Sequence, residues 1–356
     1  MNRVASLMQN AIEEGVFPGA VVWASKDGKS VFTEAYGVTD FFSQTPVAID
    51  TIYDLASLTK PLVTTLIVLK LVQEKKLSLS DPVGKHLSFF VNTSKANITI
   101  EQLLRHQSGL PAWAPLWKSL QEKPGDKNKA LLSSIYNLPH AINSEKMTIY
   151  SDIGFILLQK VVEEIGQKSL DRLAEEWIFT PLKTDLFFRP MDRKMPLYKI
   201  AATERCALRK DIIHGSVHDN NAWAMEGIAG HAGLFGNAKE VHVLLTALSD
   251  IFHASENKYG FDPSWIRYFF MRLGPSRPLG FDCPSENMPS CGKCFSPKTV
   301  GHLGFTGTSF WMDLEEKIII ILLSNRVHPD QHNDKIKAFR PILHDMLYAY
   351  VQNQSK

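Results

Sequence analysis

The chain has 356 residues, of which 44% are hydrophobic and 21% are charged. This ordinary globular composition excludes a wholly disordered, collagen-like or coiled-coil protein, and at this length two subdomains are more common than one. The 39 Lys and Arg residues against 37 Asp and Glu residues give a net charge of +2. No basic stripe follows a phosphate backbone, which argues against nucleic-acid binding.

The apolar runs argue against a membrane protein. The two longest, Ile318–Leu323 and Leu62–Val72, are shorter than the roughly 20 residues that span a bilayer. At the N-terminus, apolar residues recur at helical spacing and are followed by Glu13 and Glu14, a pattern that does not fit a signal peptide. We therefore expect no transmembrane segment and a cytoplasmic location, although an exported chain trimmed of its leader would look the same.

In chain order, the first predicted elements are a helix and a β-hairpin. Apolar residues at helical spacing before residue 13 predict the helix. Gly19–Ser25 and Val31–Tyr36 are β-rich, and the Asp27-Gly28 pair between them is a strong hairpin signal. The N-terminal region is therefore predicted to supply two antiparallel strands.

The middle of the chain is predicted to be mostly helical. Thr59–Lys75 repeats apolar residues as a buried helix would. Further helices are predicted over Ile100–His106, Asp152–Ile165, Leu170–Trp177 and Glu240–Phe252. Segments rich in Pro, Gly and charge predict loops over Pro111–Lys129, Thr180–Pro196 and Gly274–Pro297.

The C-terminal region predicts a second hairpin and a final helix. Thr308–Leu314 and Lys317–Ser324 form the hairpin pattern, and its second strand is apolar enough to be covered on both faces. A helix from about Asp334 to Tyr350 and the N-terminal helix are available as covers. We therefore predict an α+β fold, with an antiparallel sheet formed from both termini, flanking helices and a large, mostly helical insert. The predicted domains are residues 1–59 plus 296–356, and residues 60–295, with the active site in the cleft between them.

One serine stands where a helix is predicted to begin. In the motif Ser57-x-x-Lys60 the two side chains share one face of that helix, so the amine can lie beside the hydroxyl. A serine hydroxyl is a weak nucleophile until a neighbouring base takes its proton. The spacing alone is weak evidence, because Ser255-x-x-Lys258 and Ser290-x-x-Lys293 show it too, and a helix N-cap is the plain alternative for Ser57.

Two further motifs carry compatible chemistry. Tyr150-x-Asp152 stands just before a predicted helix, with Asp152 as a candidate cap, and a tyrosine beside a lysine can shuttle a proton. His302-x-Gly304 leads into the C-terminal hairpin. A glycine-flanked strand lets a substrate approach its backbone and leaves an N–H free to face an oxyanion.

These three motifs, in this order, resemble the serine β-lactamase and penicillin-binding-protein superfamily, in particular its class C-type branch, which includes esterases and D-amino-acid peptidases. Three other stretches share the resemblance: Asp54-Leu55-Ala56, Leu103–Leu110 and Ala229–Phe235. The resemblance implies that Ser57 attacks an acyl carbonyl while Lys60 and Tyr150 move the proton. It also implies that the backbone N–H groups of Ser57 and Phe305 hold the oxyanion, with no cofactor.

The departures from the family pattern bear on the substrate. Where related β-lactamases and peptidases typically have Lys-Thr-Gly, this chain has His302, Leu303 and Gly304. Leu303 cannot hydrogen-bond, and Asp152 replaces the usual Asn with a negative charge, so a substrate carboxylate should bind less well. We therefore expect an esterase-like hydrolase of a small ester or amide. The alternatives are an enzyme that processes D-alanyl peptides, a weak β-lactamase, or a catalytically silent acyl-binding sensor.

A few other residues leave alternatives open. Cys283, Cys291 and Cys294 could bind a metal, pair with each other or be incidental thiols. His231 is predicted to have a capping or core role, and a catalytic triad of Ser57 with Asp219 lacks the expected G-x-S-x-G elbow. The oligomeric state is not predicted.

Overall fold

Both ends of the chain meet in one antiparallel sheet. The computed structural model describes residues 2–122, 125–141, 148–272, 274, 276–285 and 289–354. Its main sheet consists of β1 (Gly19–Lys26), β2 (Lys29–Gly37), β3 (Thr299–Leu303), β4 (Ser309–Asp313) and β5 (Ile318–Ser324). The strand order is β2-β1-β5-β4-β3, so a strand from each terminus lies at the centre. The two predicted hairpins and the sheet built from both termini are confirmed.

The two faces of this sheet are covered by different parts of the chain. Alternate residues of β1 and β5 pack against the N-terminal helix (Asn2–Glu13) and the C-terminal helix (Ile336–Gln354), which lie on the same face. The residues between them pack against the helix Ala238–His253, which belongs to the insert. The terminal helices were expected to flank the sheet, but the second cover comes from the middle of the chain. Because both faces are covered, β5 is buried at every position.

The rest of the described chain is largely helical. The α-helices of the insert are Thr65–Gln73, Val83–His86, Ile100–Leu104, Leu116–Glu122, Lys127–Tyr136, Asp152–Gly166, Leu170–Ala174, Thr180–Leu182, Asn220–Ala224, Ala238–His253 and Pro263–Phe270. Short 3₁₀ segments are Ala56–Leu58, Ser88–Phe90, Ser94–Asn97, Pro190–Arg193 and Leu197–Lys199. Two π-helical segments are Lys60–Thr64 and Glu175–Phe179.

Two small sheets lie outside the main sheet, and one of them contains the strand that precedes Ser57. Tyr53–Asp54, Leu234–Gly236 and Phe187–Phe188 form a three-stranded sheet with the second of them at its centre, and Arg205–Cys206 pairs with Asp211–Ile212. Asp54 pairs with Phe235, so the residues just before the serine are held against the Ala229–Phe235 stretch. The division into two domains stays a prediction.

Two predicted loops are wrong. Thr180–Pro196 contains the short helix Thr180–Leu182, the strand Phe187–Phe188 and the 3₁₀ segment Pro190–Arg193. Pro111–Lys129 contains the helix Leu116–Glu122 and the start of Lys127–Tyr136. Leu116 and Leu120 are buried in the main core, so tertiary packing stabilises a helix despite the flanking prolines and charges. Within the described part of Gly274–Pro297 no helix or strand forms, as predicted.

The segment Ala56–Gln73 is long and apolar enough to cross a membrane by length and composition. However, 83% of it is buried inside the fold, as in the core helix of a soluble domain. This helix is therefore weak evidence for a membrane span.

Candidate active site

Ser57 lies in a sharply bent turn rather than at the start of a continuous α-helix. Ala56, immediately before it, has a φ of +48°, and the turn Ala56–Leu58 is followed by the π-helical segment Lys60–Thr64. The α-helical geometry predicted from Thr59 begins only at Thr65. Pro61 has no N–H to contribute to a regular ladder, and π-helical turns are common at functional sites. The bend leaves Ser57 partly exposed while its neighbours are buried.

The turn is held by the carboxylate of Asp54. This side chain is 2% exposed, and it accepts hydrogen bonds from the N–H of Ala56 at 2.8 Å and from the N–H of His218 at 2.6 Å. Burial raises the pKa of Asp54, although both hydrogen bonds oppose this effect. Asp54 therefore ties the serine turn to the segment that leads into Asn220–Ala224.

The amine of Lys60 makes three contacts beside the serine. Its Nζ donates to Ser57 Oγ at 2.9 Å, to Asp152 Oδ1 at 2.7 Å and to the carbonyl of His231 at 3.3 Å. The Lys60 side chain is fully buried, and burial alone would lower its pKa. The Asp152 carboxylate and the Tyr150 hydroxyl together raise that pKa above its ordinary value, so Lys60 is an ammonium at neutral pH.

Tyr150 lies against the same amine. Lys60 Nζ is 4.6 Å from the centroid of the Tyr150 ring, and the ring packs on His106 at a centroid distance of 4.5 Å. The Tyr150 hydroxyl is buried and has no hydrogen-bond partner among the described residues. Burial raises its pKa, while the nearby Lys60 ammonium and Ser57 hydroxyl offset part of that rise. The phenol therefore stays protonated at neutral pH and is free to donate to an incoming group.

Asp152 is in the first turn of the helix Asp152–Gly166 but does not cap it. Ser151 is the N-cap, and its hydroxyl accepts from the N–H of Gly154. The capping role expected for Asp152 is therefore wrong. Because Ser151 caps the helix, the Asp152 carboxylate is available to Lys60, and the ion pair joins two segments 92 residues apart.

The third motif lies at the end of β3. His302 is 3% exposed, and its Nδ1 donates to the carbonyl of Leu303 at 2.8 Å. Burial, together with the Lys60 ammonium, lowers the pKa of His302 well below its ordinary value. The ring is therefore neutral, and it does not supply the positive charge of the lysine that is typical in the family.

The turn after β3 is tied to the residues that precede Ser57. The hydroxyls of Thr306 and Thr308 donate to the carbonyls of Asp54 and Leu55, at 2.7 and 3.2 Å. At Gly304 any side chain is excluded, since a Cβ would lie 1.9 Å from Thr308 Oγ1. This close approach is the physical reason for a glycine at that position.

Phe305 has both a free N–H and an exposed ring. Among the described residues its N–H has no acceptor, and its ring, 50% exposed, stacks on His218 at a centroid distance of 5.5 Å. Arg326 donates to the Phe305 carbonyl, and Arg340 donates to the carbonyl of Gly304. That carbonyl belongs to the same peptide unit as the Phe305 N–H, and a donor on a carbonyl strengthens the N–H of its peptide group.

Sequence reasoning missed two residues near the site. His106 packs on Tyr150 and accepts at Nδ1 from the N–H of Ser151 at 2.9 Å. The signal for it was available, because His106 lies within Leu103–Leu110. The guanidinium carbon of Arg277 is 6.0 Å from the Tyr150 ring centroid. Arg277 Nη2 forms an ion pair with Asp282 Oδ1 at 3.4 Å. It comes from a segment predicted as a loop, where no local pattern marks a site residue.

The buried His231 side chain pairs with the half-buried carboxylate of Asp219. His231 Nε2 is 2.8 Å from Asp219 Oδ1, and Asp219 also caps Asn220–Ala224 through the N–H of Ala222. In the described part of the chain His231 has no hydrogen bond with Ser57, so a Ser-His-Asp triad does not form. Asp152, Asp219 and His231 have metal-ligand spacing, but the Lys60 ammonium already occupies the Asp152 carboxylate.

The cysteines are separate from this site. All four are free thiols; Cys291 is buried and Cys294 is exposed. Among the described residues, no group with metal-ligand spacing contains a cysteine.

The sequence matches a family model along almost its whole length. The model described as Beta-lactamase matches residues 4–341. A protein of Salmonella gallinarum, named as a candidate D-alanyl-D-alanine carboxypeptidase, is 30% identical over 94% of this chain and 85% of its own length. A protein of Escherichia coli O157:H7 with the same name is 29% identical over 92% of this chain and 82% of its own length.

Solved structures share the fold at low sequence identity. EstCE1, a hydrolase with promiscuous acyltransferase activity, matches with a TM-score of 0.77 and 19% identity over 98% of both chains. The octameric penicillin-binding protein homologue from Pyrococcus abyssi matches with a TM-score of 0.75 and 19% identity, over 100% of this chain and 77% of that one. Simvastatin synthase from Aspergillus terreus matches with a TM-score of 0.74 and 18% identity over 98% of both chains. The predicted α+β fold of the β-lactamase and transpeptidase type is confirmed.

Proposed function

Because this chain belongs to the beta-lactamase family of serine hydrolases, we propose that it cleaves a small ester or amide through an acyl-enzyme on Ser57. The observation that carries this proposal is the 2.9 Å contact between Lys60 Nζ and Ser57 Oγ, made in a buried setting beside a partly exposed serine. In that setting a proton can leave the hydroxyl as the nucleophile attacks.

The proposed reaction has two halves. Ser57 Oγ bonds to the acyl carbon while Lys60 and Tyr150 relay its proton to the leaving group, whose bond to that carbon breaks. Water then attacks the acyl carbon, a proton returns to Ser57 Oγ, and the acid is released. The N–H groups of Ser57 and Phe305 would hold the oxyanion of each tetrahedral intermediate.

An ester is the preferred substrate in this proposal. The two side chains that replace the family's Lys-Thr pair should bind a substrate carboxylate weakly, because His302 is neutral and the Leu303 side chain has no hydrogen-bonding group. The Asp152 carboxylate also offsets the charge of the Lys60 ammonium, so that cation attracts a substrate carboxylate less. An uncharged ester avoids both costs.

A D-alanyl peptide is the second candidate, and one observation favours it. Arg277 places its guanidinium carbon 6.0 Å from the centroid of the Tyr150 ring, where the guanidinium could bind a terminal carboxylate. Its side chain is 29% exposed, and its contact with Asp282, at 3.4 Å, leaves other donors free. The curated relatives named as candidate carboxypeptidases agree with this alternative.

The nucleophile is tested by replacing Ser57 with Ala. We expect Ser57→Ala to abolish labelling by a fluorophosphonate probe and hydrolysis of a p-nitrophenyl ester, with a nearly unchanged melting temperature. The matched control is Ser255→Ala, which alters a second S-x-x-K motif whose lysine pairs with Asp250 instead. Labelling that survives in Ser57→Ala would place the nucleophile elsewhere. Labelling of the unaltered protein without turnover would favour a sensor over an enzyme.

The substrate class is tested by replacing Arg277 with Gln. If D-alanyl peptides are substrates, Arg277→Gln should raise KM for a peptide with a free C-terminal carboxylate by about tenfold or more, since a charged hydrogen bond is lost. Hydrolysis of a neutral ester should change little. If the unaltered protein turns over a cephalosporin or a D-alanyl peptide faster than a short-chain ester, the ester preference is wrong.

A further inference from the structure

The ion pair beside the serine creates a problem for the proposed proton transfer. Lys60 is fully buried and its Nζ lies 2.7 Å from Asp152 Oδ1, closer than to any other group that it contacts. An ammonium in such a pair has no lone pair with which to accept the proton of Ser57. A base that first had to release a proton to solvent would be scarce at neutral pH.

We propose that Asp152 is the proton acceptor of the acylation step and that it acts on Ser57 through Lys60. The inference rests on the acyl-enzyme proposed above and deepens it. It gives a role to the negative charge of Asp152, which stands where the family usually has an uncharged Asn.

The proton movements balance. Lys60 Nζ passes one proton to Asp152 Oδ1 and rotates about its Cε–Nζ bond, so that the freed lone pair faces Ser57. Nζ then takes the hydroxyl proton as Ser57 Oγ bonds to the acyl carbon. The lysine keeps its positive charge and the carboxylate becomes a neutral acid. When the bond to the leaving group breaks, Lys60, directly or through Tyr150, protonates that group, and Asp152 returns its proton to Lys60. The resting ion pair is then restored.

The geometry fits this relay. The three protons of the Lys60 ammonium point at three acceptors, namely Ser57 Oγ, Asp152 Oδ1 and the carbonyl of His231. One amine therefore contacts both the proton donor and the final acceptor, and rotation about its Cε–Nζ bond is enough to turn the freed lone pair from Asp152 to Ser57. An Asn at position 152 could accept the same hydrogen bond but could not take a proton.

The other titratable groups around the pair are unsuited to replace Asp152. His106 and His302 are held neutral by burial, and one nitrogen of each is already hydrogen-bonded to the backbone. Tyr150 keeps its proton because burial raises its pKa. Asp219 is hydrogen-bonded to His231.

The remaining charged group is Arg277. Its guanidinium carbon lies 6.0 Å from the centroid of the Tyr150 ring, and a guanidinium cannot accept a proton. Asp152 is thus the carboxylate in direct contact with the amine of Lys60.

The test is the pH dependence of kcat/KM for p-nitrophenyl ester hydrolysis between about pH 6 and about pH 9. The relay needs no net loss of a proton, so the unaltered protein should show a plateau through neutrality. In Asp152→Asn the acceptor is gone and Lys60 must first lose a proton to solvent. The rate should then be low at neutral pH and rise about tenfold per pH unit. Asp152→Glu, which restores a carboxylate, should recover the plateau at a reduced rate.

Three outcomes would overturn the relay: an unchanged rate in Asp152→Asn, an equal reduction at every pH, or a tenfold rise per pH unit in the unaltered protein. The last measurement needs no variant, so it decides the question even if Asp152→Asn does not fold. Fluorophosphonate labelling of Ser57 separates the two proposals, because failure of the relay leaves labelling at Ser57, whereas failure of the proposed function moves or abolishes it.

Discussion

At the scale of single residues, Asp54 has the contacts of a residue that positions Ser57, the proposed nucleophile. Its two carboxylate oxygens accept hydrogen bonds from the N–H groups of Ala56 and His218, and its backbone carbonyl accepts one from the hydroxyl of Thr306. Ala56 adopts a left-handed conformation that costs a non-glycine residue roughly 1–2 kcal/mol. The hydrogen bond that the Asp54 carboxylate accepts from the N–H of Ala56 offsets that cost and fixes the direction of Ser57.

This role predicts a coupling between positions 54 and 56. Asp54→Asn leaves one buried N–H without its acceptor, which costs about 1–3 kcal/mol, so kcat should fall by about tenfold or more. In an Ala56→Gly background, where positive φ is not strained, the same change should cost less. A double-mutant cycle on kcat and on the free energy of unfolding measures the difference.

The matched control for Asp54 is Asp262→Asn, which alters a partly exposed helix N-cap outside the site. It should leave kcat unchanged. Equal losses from Asp54→Asn in both backgrounds would show that Asp54 does not act by holding Ala56.

At the scale of elements, the terminal helices stabilise the sheet that carries the third motif. Leu343 on the C-terminal helix is fully buried in the cluster formed with alternate residues of β1 and β5. Its neighbour Ile342 is 54% exposed. Adjacent positions on one helix therefore differ strongly in burial.

This difference gives a stability prediction with its own control. Leu343→Ala should lower the free energy of unfolding by about 2–5 kcal/mol, because it leaves a cavity in a packed core. Ile342→Ala should change it by less than about 0.5 kcal/mol. Denaturant unfolding measures both, and comparable effects would contradict the packing of this helix on the sheet.

Local patterns predicted much of this architecture. The Asp27-Gly28 turn and the uniformly apolar run of β5 were enough to predict both hairpins. The run of β5 was also enough to predict a strand that is buried on both faces. They could not show that both terminal helices lie on one face, because either face would satisfy the same apolar residues. The helix Leu116–Glu122 was missed because the prolines and charges around it are local signals for a loop, whereas its stability comes from packing against residues distant in the chain.

At the scale of the whole molecule, the site combines residues that are far apart in the chain. The spacing of three between Ser57 and Lys60 predicts their contact, since it lies within one turn of helix. Asp152, His231 and Arg277 come close to this pair only through tertiary packing. The sequence placed Asp152 in a motif but could not show that its carboxylate would bind Lys60 instead of capping its own helix.

The central claim is that Ser57 carries the acyl group during turnover. Its most direct test is to quench the protein during hydrolysis of a p-nitrophenyl ester and map the covalent adduct by peptide mass spectrometry. We predict an increase equal to the mass of the acyl group on the peptide that contains Ser57, and no adduct there in Ser57→Ala. Turnover with an adduct on another residue, or with no adduct under conditions that trap acyl-enzymes, would contradict the account.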